Sequence, residues 1–198
     1  SKKFPAMDIF VALGIFLLIF YGAYTVSNDI KEITWIVAIL GTLQVLFMQF
    51  IAGGLKDAEH DYKAKAKTLA IKLGVRVEKK IFIPFSFKFL AYLLQIIYLF
   101  FIFYPFYKIF EDALIQLIIL SIFSILMLYI SYKLLSIKKF VRDEVRKYIG
   151  AHYYINFSLV PIMLTAINPF IFLIAFVPPL AFIISNIAIH GSVLPKTM

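Results

Sequence analysis

Cysteine is absent from this sequence, and charged residues are scarce. Without a thiol, the chain can form no disulfide bond, no thiolate nucleophile and no zinc–thiolate site. Only 16% of its residues are charged, whereas 63% are hydrophobic and the mean hydropathy is +0.93. A soluble domain of 198 residues could not bury so much apolar surface. The composition therefore excludes an ordinary soluble protein and predicts an integral membrane protein.

Long apolar runs divide the chain into six predicted membrane spans, each close to the roughly 17 to 25 residues that cross a bilayer. The predicted spans cover residues 7–26, 33–51, 83–105, 110–136, 151–167 and 170–187. We expect Pro161, Pro178 and Pro179 to kink or break the last two helices, because proline removes a helical hydrogen bond. Residues 138–147 form an amphipathic segment outside the spans. The predicted fold is an all-α polytopic transmembrane helix bundle, with residues 1–198 in a single domain.

The basic residues are unevenly distributed over the segments between the spans. The net charge of +9 does not indicate nucleic-acid binding, because most of the 20 lysines and arginines lie in short connections rather than on a folded surface. If the amino terminus is cytoplasmic, most of them fall on the inner side, as the positive-inside rule requires. We expect a multi-pass protein of a prokaryotic cell membrane that contacts membrane lipids and no nucleic acid.

The segment from Leu55 to Gly74, which this topology places on the cytoplasmic side, concentrates acids and lysines. Asp57 and Asp61 are four residues apart, so on a helix both carboxylates project from one face, about one turn apart. Such a pair suits Mg²⁺, which prefers carboxylate oxygens, substrate phosphates and water. The lysines of the segment suit a phosphate as point charges. Taken one at a time, the same charges are also explained by a solvated helix cap and by positive-inside anchors.

The order of residues in this segment resembles a known motif. The run from Asp57 through Asp61 and Lys67 to Gly74 is similar to the second aspartate-rich motif of the UbiA superfamily of intramembrane prenyltransferases. That motif reads D-x-x-x-D, then a basic residue and T-L-x-x-x-x-G, and the chain supplies Thr68-Leu69-Ala70-Ile71-Lys72-Leu73-Gly74. The resemblance implies a nine-helix bundle of which this chain holds the later helices. The opening Ser1-Lys2-Lys3 resembles the stretch before one of the middle helices, and we expect further helices to precede it.

The resemblance implies a magnesium-dependent transferase. Members of the superfamily hold an isoprenyl diphosphate through Mg²⁺ at two aspartate-rich motifs, release the diphosphate and join the allylic cation to an aromatic or lipid-precursor acceptor. It implies that Asp57 and Asp61 are catalytic metal ligands, with Glu59, on roughly the opposite helix face, as a further candidate. The implied or candidate substrate-binding residues are basic: Lys56, Lys63, Lys67, Arg142 and Arg146. For the two arginines, contact with lipid headgroups is the alternative. We expect the active site at the cytoplasmic end of the second and third spans.

The first aspartate-rich motif of the superfamily, N-D-x-x-D, has no counterpart in this sequence. Asn28-Asp29-Ile30-Lys31-Glu32 mimics it, but the predicted topology places these residues on the outer side, a full span of roughly 30 Å from Asp57. Carboxylates that far apart cannot share a diphosphate. We therefore expect this chain alone to be inactive, or to need the missing motif supplied.

Two other functions fit the composition. A transporter or channel subunit would use the proline-containing last helices and glutamines such as Gln44 and Gln95 as a path. Against it, apart from Lys88 no Asp, Glu, Lys or Arg lies well inside a span, whereas pumps and proton-coupled carriers usually need such a charge. A non-catalytic scaffold would use its basic inner loops to bind acidic lipids or a partner. Magnesium dependence separates both from the transferase.

Overall fold

The computed structural model of the protein describes residues 6–191 and 193 and is almost entirely helical. The α-helices are α1 (Ile9–Tyr24), α2 (Glu32–Leu46), α3 (Gly54–Lys56), α4 (Ala58–Lys63), α5 (Leu69–Lys72), α6 (Phe85–Lys108), α7 (Leu114–Leu135), α8 (Arg142–Leu164) and α9 (Phe172–His190). The other elements are a π-helix (Phe47–Gly53), a 3₁₀-helix (Pro169–Ile171) and two short strands, β1 (Arg76–Val77) and β2 (Ile81–Phe82). The all-α class is confirmed, whereas the Ser1-Lys2-Lys3 resemblance lies outside the described residues.

Among the described residues, four helical stretches are long and apolar enough to cross a membrane. They are Glu32–Lys56, Phe85–Lys108, Leu114–Leu135 and Pro169–His190. These stretches are consistent with an integral membrane protein that contacts membrane lipids. Two predicted spans differ from them: α1 is a shorter apolar helix of 16 residues, and α8 combines a charged first turn with an apolar end. The count of six spans stays a prediction.

The described chain divides into two compact units. The first extends to Pro105 and includes Leu135–Phe140, and the second contains Phe106–Leu134 and the chain from Val141 onward. In the first unit α1 packs along α2, and in the second α8 packs against α9. The approach of α1 to α2 is close at Gly41, where an added Cβ would lie 2.9 Å from Cδ1 of Ile19. The interpretation of residues 1–198 as one domain stays a prediction.

In the part of the chain that the structure describes, three helices continue through prolines. α6 passes through Pro105, α8 contains Pro161, and α9 runs without interruption from Phe172 to His190. The sequence predicts that prolines kink or break the last two helices, and the prediction of a break is wrong. Ending a helix in apolar surroundings would leave more backbone groups without partners than the one hydrogen bond that proline removes. The amphipathic segment 138–147 is also not separate, because from Arg142 onward it forms the first turns of α8.

Candidate functional site

A π-helix, Phe47–Gly53, connects α2 to the charged segment. Its i→i+5 hydrogen bonding is rare, and such turns frequently lie at functional sites. The buried stripe of α2 continues through the π-helix into α3, at Leu40, Gln44, Phe47, Ile51 and Leu55. Helical structure therefore passes through Gly53 and Gly54 and reaches Lys56.

Asp57 interrupts the regular helix between α3 and α4. Its backbone angles are φ −97° and ψ 2°, outside the helical region. Its carbonyl oxygen accepts a hydrogen bond from the backbone N–H of Asp61 at 2.9 Å. This bond closes one helical turn, so the two aspartates lie one turn apart, as their spacing in the sequence predicts.

Close packing of α5 against α3 encloses this turn. A Cβ atom added at Gly54 would lie 2.9 Å from the Cβ of Ala70, a distance that real side chains essentially never show. Ala70 itself is buried. After α5 the chain turns at Gly74, whose φ of +97° lies in a region that costs glycine little and other residues more. The two glycines therefore allow α5 to pack beside the π-helix and α3.

These elements enclose a cavity of about 130 Å³. Its wall is formed by Asp8, Gln49, Phe50, Gly53, Gly54, Asp57, Asp61, Thr68, Leu69 and Ala70. Both predicted aspartates line the cavity, and Asp61 is almost completely buried, with 2% of its surface exposed. Because one water occupies roughly 30 Å³, the space suits a few waters, a hydrated ion or a phosphate group. It is smaller than the roughly 300 to 1,000 Å³ of a site that encloses a whole drug-sized ligand.

Asp8 is a third carboxylate in the cavity wall, and it lies outside the motif that contains Asp57 and Asp61. It occupies the N-cap position of α1, yet its side chain makes no capping hydrogen bond. Its signal in the sequence is an acid at the start of the first apolar run, on the same predicted side of the membrane as Asp57. The packing of α1 along α2 is what brings these two parts of the chain together.

Thr68 contributes a hydroxyl group to the same wall. Its Oγ1 atom is buried and has no hydrogen-bond partner among the described residues. Thr68 is the N-cap of α5, where a threonine oxygen commonly accepts a backbone N–H, but this bond is not formed. A buried hydroxyl without a partner costs roughly 1 to 3 kcal/mol. The Thr68 hydroxyl is therefore available to a ligand in the cavity, a role that the motif resemblance alone did not assign.

Glu59 lies outside the cavity, on another side of α4. Its carboxylate forms an ion pair with Nζ of Lys63 at 2.7 Å, and the two side chains are 45% and 70% exposed. The structure thus brings Asp57 and Asp61 to one cavity and leaves Glu59 and Lys63 at the surface. A metal-binding role for Glu59 stays a prediction.

The other predicted substrate-binding residues do not line the described cavity wall either. Lys67 is exposed and Lys56 is half-buried. Arg142 and Arg146 belong to the second unit, where Arg142 is exposed and Arg146 lies 3.7 Å from Asp143. Phosphate binding by these four residues therefore stays a prediction.

The look-alike of the first aspartate-rich motif lies far from the cavity. Its last residue, Glu32, begins a helical stretch of 25 residues that ends at Lys56, just before Asp57. At 1.5 Å per residue, this stretch is roughly 37 Å long. Glu32 accepts a hydrogen bond from the hydroxyl of Tyr104 at 3.0 Å. The two acidic groups therefore occupy opposite ends of one long helix, as the predicted topology requires.

The donors around the cavity fit part of a magnesium site. Within the described ranges, no three His, Cys, Asp or Glu side chains are grouped so that they could hold a metal ion. Asp57 and Asp61 provide two carboxylates, so the remaining ligands would come from phosphate oxygens and water. The donor set therefore fits Mg²⁺ bound together with a diphosphate, and it does not fit a metal site made of protein ligands alone.

A hydrogen bond ties α4 to the β-hairpin formed by β1 and β2. The Tyr62 hydroxyl donates to Oε1 of Glu78 at 3.0 Å. This bond raises the pKa of Tyr62 above its ordinary value, because ionisation would remove the donated proton. The phenol is thus protonated at neutral pH, and the hairpin stays linked to the helix that carries Asp61.

Compared with models of known protein families, with curated proteins and with solved structures, the chain matches none. Membership of the UbiA superfamily is therefore a proposal that depends on the motif residues and on the cavity that two of them line.

Proposed function

We propose that the protein is a prenyltransferase of the UbiA type, which transfers an isoprenyl group from a prenyl diphosphate to an aromatic or lipid-precursor acceptor within the membrane. The observation that carries the proposal is the cavity lined by Asp57 and Asp61 at the end of an apolar helix long enough to cross a membrane. In this proposal the chain contributes six spans to a nine-helix bundle in a prokaryotic cell membrane, and the cavity opens to the cytoplasm.

The burial of Asp61 argues against a solvated helix cap. A cap or a charged surface would leave its carboxylates in water, whereas 2% of Asp61 is exposed. Asp57 lines the same small cavity. Two carboxylates at one cavity suit Mg²⁺ when phosphate oxygens and water supply its other ligands.

The cavity suits the polar end of a lipid-like substrate. Asp57 and Asp61 would hold Mg²⁺, and the hydroxyl of Thr68 would donate a hydrogen bond to a phosphate oxygen. When bound, Mg²⁺ supplies electrostatic stabilisation of the negative charge that a departing diphosphate gains. An isoprenyl chain is too large for about 130 Å³ and would lie along the apolar helices. The three side chains therefore bind and orient the diphosphate while the hydrocarbon stays in the membrane.

The test is magnesium-dependent transfer from a labelled prenyl diphosphate by the full-length protein in lipid vesicles, with aromatic acids and lipid precursors as acceptors. The double variant Asp57→Asn and Asp61→Asn should lose activity by on the order of 10²-fold or more. The matched control is Glu111→Gln and Asp112→Asn, which changes two exposed neighbouring acids of the second unit in the same way. Full activity in the variant Asp57→Asn and Asp61→Asn would contradict this mechanism.

A further inference from the structure

The hairpin of β1 and β2 presents a second polar feature, separate from the cavity. The strands pair antiparallel, with Arg76 opposite Phe82 and Val77 opposite Ile81. Val77 and Ile81 are buried, whereas Arg76 is exposed and Phe82 is 60% exposed. Because side chains alternate between the two faces of a strand, one face of the hairpin is packed. The other face carries a cation directly beside an aromatic ring.

An open groove of about 590 Å³ follows this outer face. Its lining residues are Arg76, Glu78, Lys79, Lys80 and Phe82. Three cations therefore face one acid, and Oε1 of that acid, Glu78, already accepts the hydroxyl of Tyr62. The side chains of Arg76, Lys79 and Lys80 form no ion pair with the part of the chain that the structure describes. The groove carries uncompensated positive charge and suits an anion.

The start of α6 adds apolar surface next to the groove. α6 begins at Phe85, three residues after β2, and its apolar stretch has a mean hydropathy of 2.0. Phe85 is 80% exposed, and its ring centroid lies 6.1 Å from that of Phe89, which is 56% exposed. Aromatic and basic residues at the end of an apolar helix are typical of the membrane–water interface. The hairpin therefore lies where such a helix would meet lipid headgroups.

We propose that this groove binds the phosphate headgroup of an anionic membrane lipid, with the acyl chains along Phe82 and Phe85. Arg76, Lys79 and Lys80 surround the phosphate, and a headgroup that carries its own cation gains less from them. The hairpin is held in place before the lipid arrives, because the N–H of Ile81 donates to the carbonyl of Lys138 at 3.2 Å. Lipid binding in this groove requires neither magnesium nor prenyl transfer.

The test measures lipid retained by the full-length protein in detergent, by native mass spectrometry, with phosphatidylglycerol and phosphatidylcholine offered in equal amounts. The wild-type protein should retain phosphatidylglycerol preferentially. The triple variant Arg76→Gln, Lys79→Gln and Lys80→Gln should lose this preference roughly tenfold or more, because each basic residue near the membrane contributes to attraction of an anionic lipid. Glu78→Gln removes the one acid of the groove and should raise retention.

A second triple variant separates the groove from general positive charge. Lys72→Gln, Lys108→Gln and Lys147→Gln removes three exposed lysines that lie outside the groove, and the lipid preference should survive. Excess inorganic phosphate should not displace the lipid, because the aromatic side of the groove binds acyl chains. Equal loss in the two triple variants, an unchanged preference in the groove variant, no gain in Glu78→Gln, or displacement by phosphate would each overturn the proposal.

Discussion

The two sides of α4 place the same kind of residue in opposite environments. Asp61 is 2% exposed and lines the cavity, whereas the side chain of Glu59, two residues earlier, is 45% exposed and paired with Lys63. An exposed pair of this spacing contributes only about 0.3 to 0.5 kcal/mol, while a buried carboxylate must be compensated by a partner or a ligand. Whether an acid in this segment can act on a ligand therefore depends on its burial, and burial cannot be predicted from the run of charges.

The largest expected effect on activity comes from removing the negative charge of Asp61, on the side of α4 that faces the cavity. Asp61→Asn keeps the size of the side chain but replaces an anionic ligand by a neutral amide. We expect the magnesium-dependent transfer activity to fall by on the order of 10²-fold, in line with the loss of one preorganised electrostatic group. The measurement is the magnesium dependence of the rate in the full-length protein. An unchanged magnesium dependence would mean that the buried side of α4 has no metal role.

Filling the contact that closes the cavity should destabilise the fold. Gly54→Ala places a Cβ 2.9 Å from the Cβ of Ala70, so α3 and α5 must move apart. Overpacking of this kind typically costs about 1 to 3 kcal/mol. The measurement is thermal unfolding in detergent.

The matched control for this prediction is Gly22→Ala in α1. A Cβ there meets no atom within 4 Å, so the unfolding temperature should not fall. Equal unfolding temperatures for the two variants would contradict the close packing at Gly54.

Removing one hydroxyl from the cavity should weaken ligand binding without lowering stability. In Thr68→Val the lost Oγ1 atom makes no hydrogen bond among the described residues, so we expect the free energy of unfolding to stay the same or to rise, by no more than roughly 3 kcal/mol. Binding of magnesium and diphosphate should weaken several-fold, since one donor is worth about 1 kcal/mol. Isothermal titration with magnesium diphosphate and thermal unfolding measure the two effects.

Thr42→Val is the control for the hydroxyl. Oγ1 of Thr42 donates to the carbonyl of Ala38 at 2.7 Å, so this variant loses an existing hydrogen bond away from the cavity. Its diphosphate binding should equal that of the wild type. If Thr68→Val also leaves binding unchanged, the Thr68 hydroxyl does not face the ligand.

The smallest effect is expected on the exposed side of α4. Glu59→Gln removes the ion pair with Lys63 and should lower the free energy of unfolding by no more than about 0.5 kcal/mol, a difference that added salt reduces. Magnesium-dependent activity should be retained. If Glu59→Gln abolishes it as Asp61→Asn does, Glu59 is a metal ligand and the contrast between the two sides of α4 is lost.

Several features could be predicted from the sequence because they depend on neighbouring residues. The apolar runs predicted the long helices α6 and α7, and the spacing of Asp57 and Asp61 predicted carboxylates one turn apart. The prolines were less informative. Pro161 and the prolines of α9 lie within helices that continue. One lost hydrogen bond costs less than ending a helix in apolar surroundings, where several backbone groups would have no partner.

The sequence by itself determined the helical class, the apolar spans and the charged segment that separates two of them, since all three follow from composition and short-range periodicity. The tertiary structure decided which polar and charged side chains line the cavity. Asp8 reaches the cavity because α1 packs along α2, and Thr68 reaches it because Gly54 lets α5 approach. Burial distinguishes Asp61 from Glu59 for the same reason: the environment of a side chain is set by elements that are distant in sequence and packed together in space.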